Sequence, residues 1–269
     1  MSVLSVGLVG RRLEERPRAS AWRMVHRNFL AYRRGWIFFL TGFLEPVLYL
    51  FSIGVGVGQM IQGFSFHGQV IPYAVFVAPG MLAASAMNGA ILDSTYNIFF
   101  KLRYEKLYES VLATPMRTTQ VARGEITWAL LRAGVYAAGF LVVMAAMGYV
   151  FSWWAVLALP ATLLTGLAFS GVGMALTTFM RSWQDFEFVQ LAIIPMFLFS
   201  GTFFPISAFP VPLQWLVECT PLYRSVVLCR ELTTGSVTWG SAVSVVYLAV
   251  LGLAGLAVVR RRLDKLLLS

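Results

Sequence analysis

Long apolar stretches recur along the whole chain and constrain its fold more than any other feature of the sequence. Six of them approach or exceed the roughly 20 apolar residues needed to cross the hydrocarbon core of a bilayer. Only 12% of the residues are charged, against about 25% in a typical soluble domain, so most of the surface suits lipid. The sequence therefore predicts an all-α polytopic membrane protein with six transmembrane helices, at residues 36–58, 71–96, 126–149, 155–180, 188–204 and 238–259.

The 21 lysines and arginines are distributed unevenly between the two sides of these predicted spans. Eighteen of them precede the first span, follow the last one, or lie in the loops after the second and fourth spans. Arg224 and Arg230 are assigned to the other side, and Arg132 to the third span. Because basic loops remain in the cytoplasm, we expect both termini to be cytoplasmic. This topology, with anionic headgroups nearby, accounts for the net charge of +9 without nucleic-acid binding.

Three regions follow from this reading: a cytoplasmic segment (1–35), a six-span membrane domain (36–259) and a basic cytoplasmic tail (260–269). The first region contains apolar residues at helical spacing, with arginines on the other faces. This pattern predicts an amphipathic helix that lies in the membrane interface. An ordinary basic anchor before the first span is the alternative. The apolar positions are Trp22, Val25, Phe29 and Tyr32.

A charged segment, KLRYEKLYESVLATPMRTTQVARG (101–124), interrupts the apolar stretches. It predicts a helix over 101–113 that ends before Pro115, since the residue before proline disfavours helical geometry. Charged residues, including Glu105, occupy the faces that the apolar stripe leaves. Such a helix could float passively on the membrane or dock its stripe into a groove of a soluble partner. The stripe consists of Tyr104, Leu107, Tyr108, Val111 and Leu112, spaced by three and four residues.

Polar residues inside the predicted spans indicate interior positions, because charged side chains at bilayer depth are costly. Glu45, which precedes Pro46 in the first span, either faces a cargo path or subunit seam, or is protonated and bonds a neighbouring helix. Asp93 and Arg132 lie near the cytoplasmic ends of their spans. They either reach the headgroups or pair with each other.

Five prolines between 195 and 221 cannot share one straight helix. Broken helix at membrane depth requires cover by protein or a water-filled cavity. We therefore expect a short fifth span, followed by re-entrant helices before the sixth. The two cysteines, Cys219 and Cys229, fall in or after this region, and we expect them to be unpaired rather than joined.

The sequence contains no constellation typical of an enzyme. The predicted topology places His26 and His67 on opposite sides of the membrane, and no Cys/His spacing indicates a metal site. The phosphate-binding pattern GxxxxGK[ST] is also missing. We therefore expect neither catalysis nor a metal ion or cofactor on this chain. A membrane-embedded transferase and a non-transporting scaffold are the alternatives to a transport subunit.

Several motifs, in order, resemble the permease subunits of type-2 ABC exporters. These include drug and antibiotic-resistance exporters and the permeases that export nodulation lipo-oligosaccharides. The similarity covers residues 20–265. The motifs are FLEPVLYLFSIGVGVG (43–58), KLRYEKLYESVLATPMRTTQVARGEITWALLRAG (101–134), LPATLLTGLAFSGVGMAL (159–176), PMFLFSGTFFPISAFP (195–210) and RRRLDK (260–265).

The resemblance implies a role for the charged segment and for the proline-rich region. The helix at 101–113 would be a coupling helix seated in a cleft of a separate ABC ATPase subunit, which binds ATP and Mg. The proline-rich region would be an outer gate. Such a permease exports an amphipathic or lipid-like cargo, paired with a second copy or a close paralogue in the bacterial cytoplasmic membrane. The residues implied for the path and gate are Glu45, Phe199, Phe203, Phe204 and Phe209.

Overall fold

The computed structural model describes residues 21–33, 36–60, 64–66 and 69–267. Residues 1–20 of the predicted cytoplasmic segment, Arg34, His67 and the last two residues lie outside this part. Helix α1 comes first, and α2 continues through a π-helical segment to Met60. An antiparallel hairpin, which the sequence analysis did not predict, then leads into the second span. These elements are α1 (Trp22–Tyr32), α2 (Trp36–Ser52), β1 (Phe64–Phe66) and β2 (Gln69–Ile71).

Helix α3 (Tyr73–Leu92) extends through two π-helical segments as far as Tyr104. After the loop that contains Pro205 and Pro210, the chain forms two shorter helices. The remaining helices are α4 (Leu107–Leu112), α5 (Thr118–Ala146), α6 (Ala158–Thr177), α7 (Asp185–Leu198), α8 (Val211–Glu218), α9 (Pro221–Thr234) and α10 (Trp239–Leu267).

Within the described residues, four helices are long and apolar enough to cross a membrane. The protein is therefore an all-α membrane protein apart from its short hairpin. The other two predicted spans correspond to α2 and α7. Helix α7 has 14 residues, or about 21 Å at 1.5 Å per residue, which is shorter than a hydrocarbon core of about 30 Å. The four long helices are Tyr73–Tyr104, Thr118–Ala146, Trp153–Thr177 and Trp239–Leu267.

Helix α3 forms the centre of the bundle, and nearly all its side chains from Tyr73 to Ile91 are buried. Many of these residues are alanine, glycine or serine, which allow neighbouring helices to approach closely in lipid. Helices α5, α6 and α9 pack around it. Helices α6 and α10 approach each other closely: a Cβ atom added at Gly255 would lie 2.4 Å from the carbonyl carbon of Gly171. The small residues in the fourth span thus serve helix packing.

One predicted boundary is wrong. The helix predicted at 101–113 is divided, because residues 101–104 continue the second span and a new helix begins only at Leu107. The basic residues of the predicted tail at 260–269 are helical as well, since α10 continues through them to Leu267. In both places a membrane helix continues through charged residues. Hydropathy alone therefore places the end of the helix too early.

Candidate coupling site and membrane groove

The short helix α4 lies between two bends that its flanking residues impose. Lys106 has φ 48° and is the only non-glycine residue with positive φ in the part of the chain that the structure describes. This left-handed conformation is uncommon for a residue with a Cβ atom, and it reverses the chain between α3 and α4. At the other end, the Thr114 hydroxyl donates to the carbonyl of Val111 at 2.6 Å, and Pro115 follows.

The apolar stripe of this segment faces the protein's own bundle. The Tyr108 side chain is completely buried, in an apolar cluster that includes Met24 of α1 and Ile126 of α5. The other residues of the stripe within α4, which are Leu107, Val111 and Leu112, are partly buried in the same cluster. Tyr108 is therefore turned toward the bundle and not toward the surface of the chain, and partner contact by the stripe stays a prediction. Six residues offer little surface, so the helix keeps its position by burying its apolar side.

The opposite face of α4 is exposed and carries both signs of charge. It consists of Glu105, Lys106, Glu109 and Ser110, to which Tyr104 adds an aromatic side chain that is 63% exposed. Burial raises the pKa of the Tyr108 phenol well above its usual range, and the carboxylate of Glu125 raises that pKa further. Tyr108 is thus a neutral anchor, and the charged outer face, called here the α4 face, is what a partner could reach.

A buried ion pair lies beneath α4 and joins neighbouring helices. The Lys101 ammonium donates to both carboxylate oxygens of Glu125, at 3.0 and 2.9 Å, and to the amide oxygen of Asn28 at 2.9 Å. The Asn28 amide in turn donates to Glu125 at 2.9 Å. All three side chains are buried. This cluster joins α1, the end of α3 and the start of α5.

A second buried pair joins the same three helices deeper in the bundle. The Arg132 guanidinium donates to the Asp93 carboxylate at 2.9 Å, and its Nε atom donates to the Tyr136 hydroxyl at 3.0 Å. The Tyr32 hydroxyl of α1 donates to Asp93 at 3.2 Å. The predicted pairing of Asp93 with Arg132 is confirmed.

Sequence reasoning missed the Lys101–Glu125 pair. Lys101 was counted as a loop charge, and Glu125 was not singled out. A signal was present nonetheless: Glu125 stands at the start of a long apolar stretch, where an acidic side chain needs a buried partner.

Glu45 opens onto a groove between α2, α3 and α7 with a volume of about 450 Å³. The groove is lined by Tyr49, Met81, Gln190 and Phe203, among others. Of the four phenylalanines implied as gate residues, only Phe203 shares this groove with Glu45. Phe199 and Phe209 contact each other at the outer end of α7, with ring centroids 5.6 Å apart. Phe204 is 57% exposed.

Arg230 holds the proline-rich segment against the central helix. Its guanidinium donates to the carbonyl oxygens of Gly201, at 2.8 Å, and Phe76, at 3.2 Å. It also lies 3.9 Å from the centroid of the Phe76 ring. The sequence analysis placed Arg230 among exposed outer charges, whereas the structure buries it between α9, α3 and this segment. Its charge therefore says little about topology.

The cysteines are free, as expected: Cys219 is exposed and Cys229 is buried. Within the described residues, no three side chains of histidine, cysteine, aspartate or glutamate lie together in a way that could hold a metal ion.

These features define a multi-pass membrane protein with a polar surface held by buried charges at one end and an apolar groove between helices. Residues 20–233 match the family described as ABC-2 type transporter. The chain belongs to this family and is a permease of an ABC transporter.

Proteins named nodulation protein J are similar to this chain over most of its length. The protein of Rhizobium leguminosarum bv. trifolii is 37% identical over 221 residues, 80% of each chain. That of R. leguminosarum bv. viciae is 35% identical over 253 residues, 91% of this chain and 94% of the relative. That of Rhizobium meliloti (strain 1021) is 34% identical over 226 residues, 81% of this chain and 84% of the relative.

Proposed function

We propose that the chain is the membrane subunit of an ATP-driven exporter in the bacterial cytoplasmic membrane. Helices α2 and α7 are its first and fifth spans, α8 and α9 are re-entrant, and α1 lies in the membrane interface with Trp22 and Phe29 exposed to it. Both termini are cytoplasmic. The three-region division, with bounds at 35 and 259, stands as part of this proposal. The membership in an ABC transporter family supports an ABC ATPase subunit as the partner that binds ATP and Mg.

The observation that carries the proposal is that α4 packs one side against the bundle and exposes the other. Its buried side lies in an apolar cluster with residues of α1, α3, α5, α6 and α10, the Lys101–Glu125 pair joins α1, α3 and α5 beneath it, and the α4 face is exposed. A force applied to this face would therefore reach α1, α3 and α5 through buried contacts. We assign coupling to the ATPase subunit to the segment 104–112, with Tyr104, Glu105 and Glu109 as contact residues and Leu107, Tyr108, Val111 and Leu112 as anchors.

The cargo path that we propose begins at the groove beside Glu45. Its lining is mainly apolar and aromatic and includes one carboxylate, which suits an amphipathic molecule such as a drug, an antibiotic or a glycolipid. Phe203 lines the groove, while Phe199, Phe204 and Phe209 form the outer gate. A volume of about 450 Å³ in one subunit is small for a lipid-linked sugar. The full path therefore forms between two permease copies or close paralogues. The similarity to nodulation protein J supports a glycolipid cargo over a drug.

Reversing the charge of the α4 face tests the coupling role. We expect Glu105→Lys/Glu109→Lys to lower the amount of ATPase subunit that copurifies with the permease at least about tenfold, which corresponds to about 1.4 kcal/mol. Like charges brought together at an interface are costly, and both glutamates are exposed, so folding is unaffected. The measurement is the ratio of the two subunits after purification from membranes, with the thermal midpoint of the permease as a check.

The control is Glu218→Lys, which makes one such charge reversal in helix α8, away from the α4 face. It should leave the subunit ratio unchanged. If the α4 variant retains as much ATPase subunit as the control, the α4 face does not bind that subunit and the coupling assignment is wrong.

A further inference from the structure

A second and larger groove, called here the lateral groove, lies between α6, α7 and α10. Its volume is about 910 Å³, at the upper end of the range for ligand sites. It does not include Glu45 or any of the proposed gate residues. Its walls are almost entirely apolar and are formed by side chains such as Phe169, Val172, Leu176, Val189, Met196 and Leu251.

The depth of the lateral groove matches one leaflet of a bilayer. On α7 its lining runs from Asp185 to Met196, and on α6 it runs from Phe169 to the end of the helix. At 1.5 Å per residue, the eleven steps on α7 give about 17 Å and the eight steps on α6 give about 12 Å, which is roughly half of a 30 Å hydrocarbon core. Pro221 and Tyr247 line the groove as well, beside Met196 and Leu251. The groove thus begins at one membrane surface and ends near the midplane.

The mouth of the lateral groove is positively charged. Arg181 and Ser182 line it, and the Arg181 side chain is exposed. Arg262 lies 4.1 Å from the centroid of the Phe179 ring, and Arg103 donates to the carbonyl of Met180 at 3.0 Å. Three guanidinium groups therefore surround the α6–α7 turn.

One carboxylate, that of Asp185, also lines this mouth. It accepts hydrogen bonds from the backbone N–H groups of Arg181, at 2.7 Å, and Ser182, at 3.1 Å, which stabilise its charged form. The three guanidinium groups outnumber this carboxylate, so the arrangement favours a negatively charged group at the mouth. Basic pockets between membrane helices on the cytoplasmic side are typical sites for anionic headgroups.

We propose that the lateral groove binds an anionic phospholipid, with its phosphate at Arg181 and an acyl chain along α6 and α7. The polar end and the apolar, leaflet-deep body match the two ends of such a molecule. A second copy of the chain fits less well, because it would bring further arginines to the mouth and would contact the full length of the helices. The assignment to the cytoplasmic leaflet depends on the proposed topology, whereas the groove and its charge do not.

Lipid titration of the full-length permease tests this proposal. The purified and delipidated protein is titrated with phosphatidylglycerol or with phosphatidylcholine of the same acyl chains, and bound lipid is counted by native mass spectrometry. We expect phosphatidylglycerol to bind at least about fivefold more tightly, since one basic residue near the surface contributes about that factor. Arg181→Ala should remove about fivefold of this affinity and little of that for phosphatidylcholine. Arg261→Ala, which removes an exposed arginine that does not line the groove, should have no effect.

The acyl-chain site is tested separately by filling it. Ala192 is exposed on α7 and lines the groove, whereas its neighbour Leu191 is 68% exposed and does not line it. Ala192→Trp should abolish binding of the first lipid, and Leu191→Trp should not. Equal binding of the two lipids, equal effects of Arg181→Ala and Arg261→Ala, or unchanged binding to Ala192→Trp would each overturn the proposal. Loss of a dimer in Ala192→Trp with unchanged lipid binding would show that a second copy occupies the groove.

Discussion

At the residue scale, the Lys101–Glu125 pair shows how two opposite charges compensate each other inside the protein, away from water. Taking two ions out of water is costly, and here the Asn28 amide supplies the additional hydrogen bonds that satisfy them. The pair fixes the positions of three helices beneath α4 relative to one another, and this role exceeds its net contribution to stability. Removing one partner is far worse than removing both, since a lone buried charge has nothing to compensate it.

Lys101→Met should therefore destabilise the protein by about 3–5 kcal/mol, because it leaves the Glu125 carboxylate buried without its cation. The double variant Lys101→Met/Glu125→Leu should recover most of that loss. Thermal unfolding of the purified permease measures both effects. Lys106→Met, which changes an exposed lysine five residues away, should shift the midpoint by no more than the measurement error. If the double variant is less stable than Lys101→Met, the two residues do not act as a pair.

At the scale of elements, the contact between α6 and α10 depends on glycines that face each other. A Cβ atom at Gly255 would lie 2.4 Å from one backbone atom of Gly171 and 2.7 Å from another. Backbone atoms cannot rotate away, so Gly255→Ala should separate the helices and destabilise the protein by about 1–3 kcal/mol. Gly56→Ala is the matched control, because its Cβ atom would meet nothing within 4 Å. Equal unfolding midpoints for the two variants would contradict the close approach of α6 and α10.

The sequence predicted elements well where a local signal exists. Apolar length marked the long spans, and the prolines at 205 and 210 marked the irregular segment between α7 and α8. The break at Glu105 and Lys106 was not predictable in this way, since neither residue is a glycine or a proline. The hairpin at 64–71 was missed because each strand has three residues, too few for a clear alternation.

The candidate sites were harder to predict, because they depend on packing between distant segments. The position of α4 was recognised from its apolar spacing, but its orientation was not. The same spacing fits a helix that docks on a partner and one that packs on its own bundle. Tyr108 is buried because residues of α1, α5 and α10 surround it, and the sequence does not show this packing. Similarly, Arg230 looked like a loop charge until its carbonyl partners were known.

At the scale of the whole molecule, charged residues have different structural roles at the two ends of the bundle. At the α4 end, charges form an exposed face above two buried pairs, whereas at the α8–α9 end a single arginine ties an irregular segment to the centre. Helix α7 lies between two grooves, one beside Glu45 and one between α6 and α10. Helix α7 therefore forms one wall of each groove, so a shift of this helix would change the width of both.

This arrangement requires the α4 face and the α9–α10 loop to lie on opposite sides of the membrane, which cysteine labelling tests. In a background of Cys219→Ser/Cys229→Ala, single cysteines are introduced by Ser110→Cys on α4 and Val237→Cys before α10, both exposed positions. A membrane-impermeant maleimide should label Val237→Cys in intact cells. It should label Ser110→Cys only after the membrane is permeabilised, because an even number of crossings separates α4 from both termini while an odd number separates it from the loop. Labelling of both positions in intact cells would place them on the same side. The ATPase subunit, which is cytoplasmic, could then not reach the α4 face in the way that coupling requires.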